Sequence, residues 1–382
     1  DDAITIADGG GTTFAQTAAI PAITGLTSIN SGQIGGSRNK IINGAMVIDQ
    51  RNAGSAVNIS AGTTTYSLDR YGFFLGTTSA VATIQQDSSA PANFTNSLKI
   101  SVNTADASVA ADDRARITQR IEGYNFADLN YGSASARTLT LSFWVKSNLT
   151  DTFSVVFYNA ANNRMMLKTY TTEVANTWEQ KTITITGDTT GTWLKTNGNG
   201  INIAFNLMAG SNQQGTADSW QATGGAYGTS SQANLFSSTS NTFYLTGVQL
   251  EVGSTATEFE HRGIGEELAL CQRYFRSYTR SGGALSFQGA AQGTTTALSY
   301  HTLTSPMRAQ PTGAVLGATV SNWNFSVGGG SDMTANAMSI ADISRDTYCI
   351  QLGTASSSVA SGTGGRIRTG TDGYGITLSA EL

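Results

Sequence analysis

Charged side chains are scarce in this chain of 382 residues. Only 13% of the residues are Asp, Glu, Lys or Arg, which is about half of the roughly 25% found in an average soluble domain. Ser, Thr, Asn, Gln and Gly take their place, and most of these are poor helix formers. The composition therefore excludes a long all-helical protein and a coiled coil.

Two further absences exclude other classes of protein. The net charge is −4, and the one local run of basic residues, Arg114, Arg116 and Arg120, is offset by Asp112 and Asp113. A nucleic-acid-binding protein needs a basic stripe. No apolar run approaches the roughly 20 residues of a transmembrane helix. We therefore expect neither nucleic-acid binding nor membrane insertion.

Cysteine is rare as well. Cys271 and Cys349 are far apart in the chain, and both have apolar or aromatic neighbours. They form no metal or redox motif. We predict two buried free thiols rather than a disulfide.

The residues that are present indicate β-structure. Apolar and polar residues alternate with period two between residues 38 and 262, and Gly, Asn and Asp mark the turns. The clearest predicted strands span 138–146, 153–158, 178–186, 201–208 and 243–251. Their spacing favours a two-sheet sandwich or jelly roll over a βαβ fold.

The remaining segments complete an all-β prediction in four parts. Residues 1–37 carry isoleucines broken by glycine and bury too little apolar surface to fold alone, so they are either a flexible linker or an extended stalk or docking arm. Residues 38–262 are the jelly roll. Residues 263–281 are predicted as a short linking helix, with acidic residues in its first turn and basic residues near its end. Residues 282–382 are predicted as a smaller β-sandwich.

Two segments resemble phage and prophage virion proteins of the tail-fibre or receptor-binding class. The sequence NKIINGAMVIDQRNAG at 39–54 resembles their entry strand. The sequence FYLTGVQLEVGSTATEFEHRGIGEELALCQRYF at 243–275 resembles the segment that closes their jelly roll. The stretches SFWVKSN at 142–148 and WEQKTITIT at 178–186 are similar to middle strands of galactose-binding-like, carbohydrate-binding jelly rolls.

This resemblance implies a structural protein of a phage particle that adheres to a host-surface glycan. It also implies a homotrimer, joined to other tail or virion proteins through residues 1–37. Related bacterial modules hold a structural calcium, for which Asp49 and Glu251 are the candidate ligands. Ala45 and Met46 stand where that pattern has acidic residues, so we predict no metal or other cofactor.

Sugar recognition needs aromatic faces together with neutral hydroxyls and amides. Three aromatic residues lie in polar, loop-like contexts, namely Trp193, Trp220 and Tyr227. In the last domain, Trp323 and Tyr374 are similar candidates. Trp144 and Trp178 lie in or beside strands, and we assign them to the core or to a sheet face.

No catalytic constellation is visible in the sequence. The two histidines, His261 and His301, are the only candidate bases for a Ser-His-Asp triad, and the first is better explained by a structural contact with Glu260 or Arg262. Adhesion without turnover is therefore predicted. Three alternatives stay open: a tailspike that depolymerises polysaccharide, a head fibre or purely structural tail component, and a secreted bacterial carbohydrate-binding module.

Overall fold

The computed structural model describes residues 38–222, 224–280, 284–317, 319–327, 332–354 and 359–382. The predicted stalk or docking segment, residues 1–37, lies outside the described residues.

The described part of the first 260 residues is built of antiparallel strands, each ending at turns rich in Gly, Asn and Asp. The strands are β1 (Val57–Ile59), β2 (Thr64–Leu68), β3 (Tyr71–Gly76), β4 (Val81–Asp87), β5 (Ser97–Thr104), β6 (Arg114–Glu122), β7 (Leu139–Ser147), β8 (Thr152–Tyr158), β9 (Met165–Thr171), β10 (Glu179–Ile185), β11 (Asn199–Ala209), β12 (Trp220–Gln221) and β13 (Thr242–Val252). A four-residue helix, α1 (Gly123–Phe126), follows β6.

These strands form two packed sheets. One has the order β1-β4-β5-β13-β7-β10, and the other has the order β12-β9-β8-β11-β6-β3-β2. Along β7 the side chains of Leu141, Phe143 and Val145 are fully buried, and the Phe143 ring meets Phe205 of the opposite sheet edge-on at 5.0 Å. The predicted all-β class and the central sandwich are confirmed.

The linking helix is shorter than predicted. Helix α2 spans Ile264–Gln272, and the chain then enters strand β14 (Phe275–Thr279). The residues of β14 also fit a helical spacing, but their backbone groups pair with a strand from the end of the chain. Pairing with a distant strand thus overrides the local pattern, as often happens with short segments.

The C-terminal part contains a closed barrel. Its described strands are β15 (Leu285–Ala291), β16 (Thr296–Thr302), β17 (Thr312–Leu316), β18 (Trp323–Ser326), β19 (Met333–Ala341), β20 (Thr347–Thr354), β21 (Gly364–Thr369) and β22 (Gly375–Ser379). Six of them close in the order β15-β16-β20-β19-β18-β21, while β14, β22 and β17 form a separate sheet. A smaller β-sandwich is predicted here; the strands are β as predicted, but they close into a barrel, because β21 pairs with both β15 and β18 and so leaves no free edge.

The two segments that carry the family resemblance are neighbours in space. The amide nitrogen of Asn39 donates to the backbone oxygen of Val248 at 3.1 Å, and its amide oxygen accepts from the backbone nitrogen of Leu250 at 3.1 Å. The start of the segment 39–54 therefore lies beside β13 and is fixed to it by a side chain that is itself buried.

Two further features concern cysteine and membranes. Cys271 and Cys349 are free and buried, as predicted. Within the described ranges, no helix has the length and apolar character to cross a membrane.

An ion pair between the buried Glu122 and the partly exposed Arg273 fastens the strand β6 to the segment after α2. The carboxylate of Glu122, which is 1% exposed, accepts from Arg273 Nε at 2.8 Å and Nη2 at 2.6 Å. It also accepts from the Tyr274 hydroxyl at 2.8 Å. These donors satisfy a charge that would otherwise be costly to bury.

Replacing Glu122 by Ala should lower the free energy of unfolding by about 2 kcal/mol, because the change leaves the buried Tyr274 hydroxyl without its acceptor and Arg273 without its carboxylate. Urea denaturation measures this change. The control is Lys168→Gln, which breaks an exposed pair with Asp218 and should cost less than about 1 kcal/mol. Equal, small losses for both variants would show that the Glu122 network does not stabilise the fold.

Candidate functional site

Four of the five aromatic side chains that the sequence predicts as sugar contacts are buried. Trp193, Tyr227 and Tyr374 are 5%, 6% and 9% exposed, and Trp323 is fully enclosed. Trp323 lies on β18 and stacks on Phe287 inside the barrel. A buried ring has no face free for a sugar, so the structure contradicts these four predictions.

The fifth candidate, Trp220, is half-buried and belongs to the same aromatic cluster as Trp193. Their rings meet edge-on at 5.5 Å, and the Tyr131 ring contacts both, at 5.9 Å and 5.0 Å. The indole nitrogen of Trp220 donates to the backbone oxygen of Thr186 at 2.9 Å. The polar loops around these residues therefore fold their large rings back onto the core, and the prediction of a sugar contact at Trp220 is not supported.

The two candidate calcium ligands have protein partners instead. Asp49 caps a turn by accepting from the backbone nitrogens of Arg51, Asn52 and Gly54. Glu251 accepts from the hydroxyl of Thr257 at 2.7 Å. Across the described ranges, no group of three or more His, Cys, Asp or Glu side chains is placed to share a metal ion.

The two histidines have different surroundings. His301 Nε2 lies 2.7 Å from the Ser299 hydroxyl, but that serine is 1% exposed, so the pair has no access to a substrate. Burial lowers the pKa of His301. His261 is exposed and packs its ring against Phe94 at 5.3 Å and Phe259 at 4.8 Å. The expected contact with Glu260 or Arg262 is replaced by this aromatic packing.

The exposed His261 lies at a groove on the outer face of the six-stranded sheet. This aromatic groove has a volume of about 540 Å³. It is lined by Ala92, Asn93, Phe94, Trp144, Gln180, Glu258, Phe259 and His261. Phe143 and Val145 point into the core. Because successive side chains of β7 point to opposite faces of the sheet, Trp144 points to the outer face.

A glycine bulge shapes the floor of the aromatic groove. The pairing of β13 with β7 is irregular between Thr246 and Gln249, and Gly247 there has a φ of +59°. A Cβ at this position would come within 2.8 Å of both the Phe94 and the Trp144 rings. Only glycine combines this backbone conformation with room for two aromatic rings.

Further aromatic residues continue the same sheet face beyond the groove. Trp178 and Tyr244 meet edge-on at 6.1 Å, and Lys146 Nζ lies 4.1 Å from the centre of the Tyr244 ring. Partial burial lowers the pKa of Lys146, although the Asp87 carboxylate opposes this shift. This sheet face therefore carries aromatic rings, side-chain amides and an ammonium group close together.

This combination suits a polar, ring-shaped ligand. Half-buried aromatic rings offer apolar faces, while Asn93 and Gln180 offer both donors and acceptors of hydrogen bonds. Concave apolar sites with a few placed polar groups are typical of small-ligand binding. A usable signal for this site is present in the sequence, since the inward residues of β7 already imply an outward Trp144.

Comparisons with known proteins give structural similarity only. No family model matches the chain, and no curated protein matches it. Among solved structures, the enzymatically active domain of tailspike protein 4 of bacteriophage CBA120 is 16% identical with a TM-score of 0.29, and the match covers 56% of this chain and 21% of that one.

Two structures from Clostridium thermocellum also match. The family 11 carbohydrate-binding module of a cellulosomal cellulase is 16% identical with a TM-score of 0.26, and 52% of this chain and 99% of that one are covered. The xylanase 10B modules CBM22-1 and GH10, in complex with xylohexaose, are 12% identical with a TM-score of 0.27. This match covers 57% of this chain and 29% of that one. Because similarity at this level carries no argument about function, the assignment depends on the aromatic groove itself.

Replacing Gly247 by Ala should destabilise the protein by at least about 2 kcal/mol, because a left-handed backbone conformation is costly for alanine and the added methyl group would meet two rings. Chemical denaturation measures the loss.

The matched control is Gly293→Ala. Gly293 has no atom within 4 Å of an added Cβ, so this change should shift the free energy of unfolding by less than about 1 kcal/mol. A Gly247→Ala protein as stable as the control would contradict the role of the bulge.

Proposed function

We propose that this protein binds a host-surface glycan in the aromatic groove and does not cleave it. The observation that carries this proposal is the groove of about 540 Å³ on an outer sheet face, lined by Phe94, Trp144 and Phe259. Aromatic side chains at a concave surface supply contact area at low cost in conformational entropy. The neighbouring amides and the exposed His261 supply hydrogen bonds that can select hydroxyl groups.

The small number of carboxylates that line the groove supports binding without turnover. Among the described residues that line it, Glu258 is the only carboxylate. Hydrolysis of a glycosidic bond generally uses two carboxyl groups that flank the scissile bond. Glu260, two residues further on, is occupied by the backbone nitrogens of Arg38 and Asn39.

We further propose that the protein acts as a homotrimeric tail-fibre or receptor-binding component of a phage particle. Two observations support this role. The segments 39–54 and 243–275 resemble such proteins, and they pack against each other at Asn39 and Leu250. A surface poor in charge also suits subunit contacts, because few ions would lose their water.

The glycan proposal is tested with Trp144→Ala on an array of host-surface glycans. We expect at least a tenfold loss of affinity, equivalent to about 1.4 kcal/mol, because the variant loses an aromatic face of the groove. His261→Ala is a second variant on an exposed residue and should also weaken binding without affecting the fold.

The matched control is Tyr300→Ala, since Tyr300 is 65% exposed on the barrel and outside the groove. Unchanged affinity of the Trp144 and His261 variants would refute the proposed site. New reducing ends after incubation with the bound glycan would show a depolymerase instead.

The trimer is tested by light scattering on the full chain. We expect a mass of about three times the 39.9 kDa of one chain. A monomer mass over the whole concentration range would contradict the trimer without affecting the glycan proposal, because the aromatic groove lies within one subunit.

A further inference from the structure

A row of four side chains crosses the outer sheet face next to the aromatic groove. Lys146 on β7 is paired with Tyr244 on β13, and Tyr244 is paired with Lys99 on β5. On the other side, Glu179 is paired with Val145, so Trp178 lies level with Lys146. We call these four residues the lysine row. With strands about 4.8 Å apart, it spans about 14 Å.

The two lysines of the row differ in how their charge is balanced. Lys99 Nζ lies 3.3 Å from the Asp87 carboxylate. Lys146 Nζ donates to the Ser89 hydroxyl at 2.6 Å, and it has no carboxylate within 4.0 Å in the described part of the chain. The net charge of this patch is therefore positive, and Lys146 carries it.

The ammonium group of Lys146 is held in place rather than free in solvent. It lies 4.1 Å from the centre of the Tyr244 ring and 5.1 Å from that of Trp178. Cation–π contacts to both rings and the bond to Ser89 fix its position. An ammonium has three donors, and only one of them has a hydrogen-bond acceptor among the described residues. The other two donors have no hydrogen-bond acceptor among the described residues, so a ligand on this face can accept from them.

The lysine row and the aromatic groove form one continuous surface. Lys146 and Trp144 are two positions apart on β7, so their side chains leave the same face about 6.7 Å apart along the strand. A sugar bound against Trp144 thus brings substituents of its own ring or of the next ring to Lys146.

We propose that the glycan is acidic and that Lys146 binds its anionic group, whether carboxylate, phosphate or sulfate. This inference rests on the proposed glycan binding and specifies its ligand class. A charge-assisted hydrogen bond from a fixed, partly desolvated ammonium is about twice as strong as a neutral one. In a chain with so few charges, an ammonium placed between two rings on the binding face selects for anions.

The test is an array of bacterial surface polysaccharides with matched numbers of neutral and acidic members, probed with the full chain. Acidic hits are then compared with the same polysaccharide after reduction of its carboxylates or removal of its phosphate or sulfate groups. Each is measured with the wild type, Lys146→Gln and the control Lys168→Gln, at low and high salt.

We expect acidic members to bind, neutralised members to bind at least fivefold more weakly, and Lys146→Gln to remove most of that difference. The affinity should fall as salt rises, with a smaller fall for Lys146→Gln. Binding of neutral members alone, sensitive to Trp144→Ala, would overturn this inference and leave the proposed function standing. Binding of acidic members unaffected by Lys146→Gln would also overturn it. No binding to any member would contradict both.

Discussion

The left-handed conformation at Gly247 is the constraint on which the binding face depends. It places an irregularity in β13, the strand that lies between β5 and β7 in the centre of its sheet. The missing Cβ leaves room for the rings of Phe94 and Trp144 on the outer side. The same strand is also held by Asn39, so the shape of the groove is fixed by a strand that is paired on both edges.

Much of the fold could be predicted from the sequence, because β-strands that bury one face carry a period-two pattern. The strand of Leu141, Phe143 and Val145 is an example, because its predicted span, 138–146, nearly equals the observed Leu139–Ser147. The closed barrel could not be predicted. Its closing strand reads GGRIRT, where only Ile367 is a strongly apolar residue, and strand pairing over long distances leaves no local signal.

The site was harder to predict than the fold for a different physical reason. The polar loop around Trp193 predicts an exposed ring, but burial of a large aromatic ring is strongly favourable, and the ring is buried. Trp144 was correctly assigned to a core or sheet-face position. What the sequence could not supply is the register that places Trp178, Lys146 and Tyr244 in one row.

A crystal structure of the full chain with a bound acidic oligosaccharide would locate the ligand directly. We predict that a sugar ring occupies the groove beside Trp144 and that an anionic substituent lies within hydrogen-bonding distance of Lys146 Nζ. A sugar bound only elsewhere, on the seven-stranded sheet or on the barrel, would contradict glycan binding in the aromatic groove.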